Sequence, residues 1–497
     1  MSTQSKRTKH SVLPTKWPSE AEAQASRLFQ PVMLGKNTRL AHRTWVPAMV
    51  PWRATQEGEV TDELLEWYGR FAEGQPGAIV VEATGIRDIP SGPLLRIGHE
   101  RYIPGLRRLV EVVRSKSRGQ TRLLIQLIDF LAVKRRPEPQ KFFSRYLEVS
   151  ERHKHALCDQ TGDRSWLSMT DAALTREMPK LSVSTLEKIL TPREFDSLQN
   201  GYRERVSDMQ FEHIRNLPER LPGLFSEAAL RAEKAGFDGV ELHFAHAYTM
   251  ASFLSALNSR NDGYGATLQG RVKLPLEVYS AVRSRLDSQT SLGCRMLSEE
   301  AIAGGSTVED ATYFAVQFAK SGMDFISLSR GGKFEDAKQP RIGHAVYPYT
   351  GPSGHECMPT VYSDKQGPFG RQLKLAHQIR DAVRAAGYET PIVAAGGINS
   401  FELAEHALAS GAADIIAAAR QSLADPDWFL KMRLGRGSEI RRCMYTNYCE
   451  GLDQSHKQVT CQLWDRKERT SASLKSHDGK RWLVAPPWIR SSKKKPE

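Results

Sequence analysis

No stretch of about 18 uninterrupted apolar residues occurs in the 497-residue chain, which argues against a membrane-spanning helix. No apolar run follows the N-terminal Met1–Arg7, so a cleaved secretory signal is not expected. Cysteine is scarce. Of six, Cys158, Cys294 and Cys357 are scattered, and Cys443, Cys449 and Cys461 cluster near the C-terminus. That excludes a disulfide scaffold and points to a reducing, cytoplasmic compartment. No internal repeat is evident. Hydrophobic residues at 40% and charged residues at 26% exclude a chain disordered throughout.

The net charge of +13 is concentrated at the ends. Residues 1–16 hold Lys6, Arg7, Lys9 and Lys16 and no acid, while residues 465–497 hold ten Lys/Arg against four Asp/Glu. The body between is nearly balanced, so no basic stripe points to nucleic acid. The charge reads as a solvated N-terminal arm (1–27) and a C-terminal tail (464–497) that is extended or partly disordered.

Eight short apolar runs are candidate strands: Thr44–Ala48, Ala78–Glu82, Arg122–Leu127, Asp238–His243, Leu292–Met296, Phe325–Leu328, Ile392–Ala395 and Ile415–Ala418. Amphipathic segments ending in Gly lie between several of them, such as Leu224–Gly236 and Phe401–Gly411. Helix, Gly cap and apolar run make the αβ joint of a parallel sheet. Eight such units predict an α/β fold, a (β/α)8 TIM barrel. An open dinucleotide-binding sheet is the weaker option, because no Gly-x-Gly-x-x-Gly follows the first strand. Two long loops, about 129–210 and 331–369, leave C-terminal strand ends, where barrel active sites form, and are candidate pocket walls.

After the fourth strand comes His243-Phe244-Ala245-His246-Ala247-Tyr248. If this loop turns helically, both imidazoles can reach one oxygen while the phenol supplies a proton. A structural role and zinc binding stay open, although no third ligand stands at metal spacing. Gly396-Gly397 after the seventh strand and Ala419-Arg420 after the eighth occupy the usual phosphate position of such barrels.

Together these residues resemble the Old Yellow Enzyme family of FMN-dependent oxidoreductases over roughly 28–440. The likeness is strongest to the barrel domains of 2,4-dienoyl-CoA reductase and trimethylamine dehydrogenase. It runs through Leu28-Phe29-Gln30-Pro31, Gly236–Tyr248, Asn258–Gly265, Gly293–Met296 and Gly396–Pro426. The resemblance implies FMN, NADH or NADPH as reductant, and reduction of the C=C bond of a small α,β-unsaturated carbonyl compound. His243 and His246 would hold the carbonyl oxygen and Tyr248 would donate the proton. Arg295 would face the flavin N1/O2 edge and Gln126 its pyrimidine ring. Pro47, Ala48, Met49, Val50 and Ala83 would lie along the flavin, with Gly396, Gly397, Ala419 and Arg420 at its phosphate. The alternatives are an amine dehydrogenase of the trimethylamine dehydrogenase type and a flavin-binding protein with little catalysis. Homo-oligomerisation stays open.

Several positions depart from the family pattern. Val50 cannot hydrogen-bond or offer a thiol to the flavin, which implies an altered reduction potential. Leu127-Ile128-Asp129-Phe130 stands where a histidine is common. Ala419 replaces a usual Gly, which is tolerated if φ is not positive. The relatives bind an iron–sulfur cluster through four cysteines after the barrel. Here, over 441–463, Cys443, Cys449 and Cys461 fit the spacing, but Thr446 takes the second cysteine's place. The preferred expectation is no cluster, ahead of a cluster with a non-thiolate fourth ligand and of zinc. The flavin and nucleotide domains of those relatives are expected to be missing after residue 497.

Overall fold

A computed structural model describes residues 12–331, 339–346, 367–467 and 474–489. A short hairpin, β1 (Val32–Leu34) and β2 (Thr38–Leu40), precedes eight strands: β3 (Thr44–Val46), β4 (Ala78–Gly85), β5 (Arg122–Ile128), β6 (Gly239–Phe244), β7 (Ser291–Leu297), β8 (Ile326–Ser329), β9 (Ile392–Ala394) and β10 (Ile415–Ala417). These eight close into a parallel barrel, β10 pairing with both β3 and β9. Helices stand between the strands, as in a (β/α)8 barrel. Each of the eight expected runs became a strand, with ends displaced by up to three residues.

Strand periodicity sorts the side chains. Trp45, Val80, Leu124, Phe325, Val393 and Ile415 fill the barrel interior, and Leu34 and Leu40 of the hairpin close its lower end. Val46, Val81, Leu242 and Met296 point outward into the main core with the helices. A register shift in β4 between Val81 and Thr84 re-aims this strand. Ala83 reaches the cavity at the top of the barrel, while Glu82 bonds Tyr68 on the Asp62–Glu73 helix.

The helix expected over Leu224–Gly236 begins seven residues earlier, at Leu217, and continues through Pro222. Its buried face, Leu217, Leu221, Phe225, Ala228 and Ala232, keeps helical spacing across the proline. Burial of that stripe outweighs the hydrogen bond that Pro222 cannot make. Gly236, at φ +96°, ends the helix as expected.

Between β5 and β6 the chain makes five short α-helices and two 3-10 turns within Pro139–Asn200, packed around Phe143, Leu157, Trp166, Leu174 and Met178 as a core of their own. Their stems are tied by Lys134 N–H to the Tyr202 carbonyl (2.7 Å) and Glu204 N–H to the Ala132 carbonyl (2.9 Å). The stems line the cavity and the helices pack on one another. The second wall, over 331–369, lies mostly outside the described residues, as do 1–11 of the basic arm and Cys357.

The tail does not run free from residue 464. Trp464 is buried and donates to the Leu423 carbonyl (2.9 Å), and Leu483 and Ala485 are buried against the barrel. The buried Arg53 guanidinium clamps the carbonyls of Val459 (2.9 Å) and Leu483 (2.7 Å). The basic residues at the very end, Lys493-Lys494-Lys495, lie outside the described residues. Among the described residues no helix is long and apolar enough to cross a membrane.

Candidate active site

The C-terminal ends of the barrel strands surround a cavity of about 900 Å³. Pro47, Ala48, Met49, Val50, Ala83, Gln126, His243, His246, Tyr248, Arg295, Gly396, Gly397, Ala419 and Arg420 all line it. The structure therefore gathers every expected substrate and flavin residue into one space.

His243 ends the inward-facing series Gly239, Glu241, His243 on β6. The loop after it does not turn helically. His246 and Ala247 adopt left-handed φ values of +59° and +63°, a conformation costing roughly 1–2 kcal/mol per residue outside glycine. This folds His246 back onto His243, with Nδ1 of His246 lying 3.2 Å from Nε2 of His243. Nε2 of His246 lies 2.7 Å from the Ser329 hydroxyl. The rings are thus bonded in series, His243–His246–Ser329, rather than standing as two parallel donors. Burial and the Arg295 charge push the His243 imidazole down to about 3. Burial, then His243 and Arg295, push His246 well below its ordinary value. Both rings are neutral at pH 7, each able to donate one N–H. Tyr248 stands edge-on to His243 (5.6 Å) and to Phe130 (5.2 Å). Asp129 anchors this corner. Its carboxylate accepts from Arg87 Nη2 (2.9 Å), and its carbonyl accepts from the Thr249 hydroxyl (3.0 Å), one residue past Tyr248.

Deeper in the barrel, Gln126 Nε2 donates to Glu241 Oε1 (2.6 Å), and Arg295 Nη1 donates to the Ser327 hydroxyl (3.0 Å). Glu241 is fully buried. Burial pushes its carboxyl up, while Arg295, Gln126 and Ser327 pull it back. At the opposite end Gly396 and Gly397 have φ of +121° and +73°, and a Cβ on Gly397 would collide with the Pro368 carbonyl. Ala419 is not among the described residues with positive φ, which fits alanine there. It opens the short Ala419–Ala424 helix. Arg420 turns toward the C-terminal segment. Its guanidinium donates to Asn447 Oδ1 (2.9 Å) and lies over the Tyr445 ring (4.7 Å).

Cys443, Cys449 and Cys461 border a separate cavity of only about 20 Å³, the room of roughly one water. Among the described residues no group of three or more His, Cys, Asp or Glu side chains is disposed to hold a metal ion. The three thiols fall short of the four that the family's cluster uses. Burial pushes all three thiols up, Cys461 to about 12. Thr446 is exposed and Tyr445 is buried beside them. A four-iron cluster does not fit.

Sequence reasoning missed Glu241 and Ser329. A lone acid inside the apolar strand Gly239–Phe244 was a readable signal. Ser329 gave none. It also missed Trp52, Asp453 and His456, which wall the cavity beside the Cys449 segment. Trp52 stacks on His456 (4.3 Å) and donates to Asp453 Oδ1 (2.7 Å). No local pattern pairs residues 400 positions apart.

A closed parallel (β/α)8 barrel with a polar cavity at the C-terminal ends of its strands is the frame in which barrel enzymes place their active sites. The chain belongs to the NADH:flavin oxidoreductase / NADH oxidase family, whose sequence profile matches residues 191–439. It is 24% identical over 425 residues to an NADH oxidase of Thermoanaerobacter brockii, covering 84% of this chain and 52% of that protein. It is 29% identical over 426 residues to a metal reductase of Desulforamulus reducens, covering 85% and 51%. The chain thus spans about half the length of these relatives. Among solved structures, a 2-naphthoyl-CoA reductase complex superposes with a TM-score of 0.62 at 19% identity, covering 89% of this chain and 57% of that one, a likeness of fold. Membership makes this an oxidoreductase and implies FMN with NADH or NADPH. The cavity fits such a cofactor. The Gly396-Gly397 turn is bare of the side chains that would fill a phosphate cradle, and Arg295 and Gln126 supply polar groups deeper in.

Proposed function

We propose that this barrel reduces the C=C bond of small α,β-unsaturated carbonyl compounds at the expense of NADH or NADPH. The observation carrying this reading is the meeting of His243, His246 and Tyr248 in the cavity that also holds Arg295 and the Gly396-Gly397 turn. Bound FMN would supply hydride transfer from nicotinamide to substrate, held by Arg295, Gln126, Gly396, Gly397, Ala419 and Arg420 along Pro47–Val50 and Ala83.

A carbonyl oxygen entering beside His243 and His246 exchanges with their mutual hydrogen bond. The neutral rings donate N–H to it, and those bonds strengthen as negative charge builds on oxygen while hydride adds to the β-carbon. Tyr248 delivers its hydroxyl proton to the α-carbon. Phe130, edge-on to Tyr248, limits the space beside that carbon.

The test is turnover of the FMN-loaded protein with NADH or NADPH and 2-cyclohexenone, followed by chromatography for cyclohexanone. Saturated ketone formed by the wild type and lost by about 10²–10³-fold in His243→Ala supports the reading. Flavin reduction by an amine without nicotinamide, and none with enone as acceptor, overturns it in favour of amine oxidation.

A further inference from the structure

Glu241 sits on β6 beneath the cavity wall, fully buried, with Gln126 directly across the β5–β6 ladder. At 2.6 Å only one amide orientation works. With Glu241 ionised, as the Arg295 charge beside it favours, the NH₂ of Gln126 must face the carboxylate, because the flipped amide would set two acceptor oxygens against each other. That leaves the Gln126 Oε1 as the group offered to the cavity that Gln126 lines. An acceptor there suits a ring N–H, the donor on the pyrimidine edge of an isoalloxazine. On the other side, the strand neighbour of Glu241 is Gly293, which has no side chain to separate the carboxylate from Arg295 two residues on. Arg295 is itself fixed by Ser327 on β8. The Glu241 carboxylate and the Arg295 guanidinium act on each other electrostatically.

We propose that Glu241 is a positioning residue that turns the Gln126 amide oxygen toward the flavin pyrimidine ring and offsets the Arg295 charge beneath it. This rests on the FMN-site reading above. Glu241 does not touch the cofactor; it acts through Gln126 and Arg295. Its carboxylate makes the site less positive and so disfavours electrons on the bound flavin.

The test compares FMN affinity, by fluorescence titration, with the flavin midpoint potential, by reduction against a reference dye, in wild type, Glu241→Gln and Glu241→Asp. Gln keeps the volume and an acceptor for Gln126 but removes the charge. At full FMN occupancy it is expected to raise the reduced-to-oxidised ratio at fixed potential about tenfold, about 30 mV for a two-electron couple. Asp keeps the charge but withdraws from Gln126. It is expected to weaken FMN binding about tenfold and to move the ratio less than threefold. Equal midpoints in wild type and Glu241→Gln overturn the proposal, and so does a Glu241→Asp shift as large as that of Gln. If Glu241→Gln does not fold, Glu241→Asp decides alone: wild-type FMN affinity overturns the proposal, and weakened affinity with an unmoved ratio supports it. Failure of the wild type to bind FMN takes down the site reading itself, a separate result from wild-type binding with unmoved midpoints.

Discussion

The Ser329 hydroxyl lies 2.7 Å from Nε2 of His246, whose other nitrogen faces His243. The end of β8 therefore holds the orientation of the His246 ring, the Ser329 hydroxyl donating to or accepting from Nε2. Ser329 is buried and its carbonyl is bound by the Ser298 hydroxyl (2.9 Å), so its backbone cannot drift. Removing the hydroxyl frees His246 to rotate. Ser329→Ala is expected to lower kcat/KM for enone reduction about tenfold, the worth of roughly 1.4 kcal/mol, with FMN affinity unchanged. Steady-state kinetics over a range of enone concentrations checks it, and unchanged kcat/KM sets Ser329 aside.

The buried His243 and the buried Glu82 predict opposite pH dependences of stability. His243 is held down to about 3 against an ordinary 6.5. Below pH 6.5 the unfolded chain takes a proton that the fold refuses, so this contribution is full above 6.5 and is lost as pH falls toward 3. Glu82 is pushed up to about 8 by burial, against an ordinary 4.5, although Tyr68 bonds it. Here the fold keeps a proton that the unfolded chain releases, so this contribution is full below 4.5 and is lost as pH rises through 8. Urea unfolding at pH 5, 7 and 8.5 separates the two. His243→Asn should flatten the loss between pH 7 and 5. Glu82→Gln should gain stability relative to wild type by at least about 1 kcal/mol from pH 5 to 8.5. A constant difference across that range would contradict the Glu82 account.

Gly397 has the strictest steric requirement in the cavity. Its φ of +73° disfavours any side chain, and an added methyl meets the Pro368 carbonyl, which is backbone and cannot swing aside. Gly397→Ala is expected to weaken FMN binding at least about 100-fold, the effect of roughly 3 kcal/mol of strain at the turn. Gly396→Ala meets only the flexible Gln372 side chain and should be milder. FMN fluorescence titration of both variants ranks them, and the reverse order would move the phosphate site elsewhere.

The barrel was legible because each strand pairs an apolar run with a Gly-capped helix, two local signals that agree. Residues near the C-terminal strand ends, such as His243, Gln126 and Gly396, were legible for the same reason, since the topology places them before any contact is known. The series bonding of His243 and His246 was not. It depends on left-handed backbone at His246 and Ala247, and neither residue announces that conformation as glycine would. The packing of 474–489 was hidden differently. Arg481, Leu483 and Ala485 alternate as buried residues with the half-buried Trp482, Val484 and Pro486, but the run is too short and too basic to read as a strand, and the partners of Leu483 and Ala485, Arg53 and Arg70, lie more than 400 residues away. Arg481 and Lys475 read as solvated charge, yet the Arg481 guanidinium bonds Thr460 (3.2 Å) in the interior.

The cysteine segment gives the last prediction. A cubane cluster needs four thiolates around a space of its own, whereas three cysteines, Cys443, Cys449 and Cys461, surround a cavity of only about 20 Å³. Tyr445 occupies the interior there, with the Arg420 cation over its ring and Asn447 bonded to the same guanidinium. A cation stacked on a buried phenol holds the segment closed without metal, and protein packing replaces what a cluster would otherwise hold in place. Protein reconstituted anaerobically with ferrous iron and sulfide is therefore expected to gain no 400 nm absorbance beyond the flavin. Thr446→Cys alone should not restore it, because the fourth thiol leaves Tyr445 and Arg420 in the way. Tyr445→Ala together with Thr446→Cys opens the space and should take up iron if packing is the barrier. Uptake of about four irons by the unaltered chain would mean that this segment rearranges around metal, and the closed form would then be its apo state.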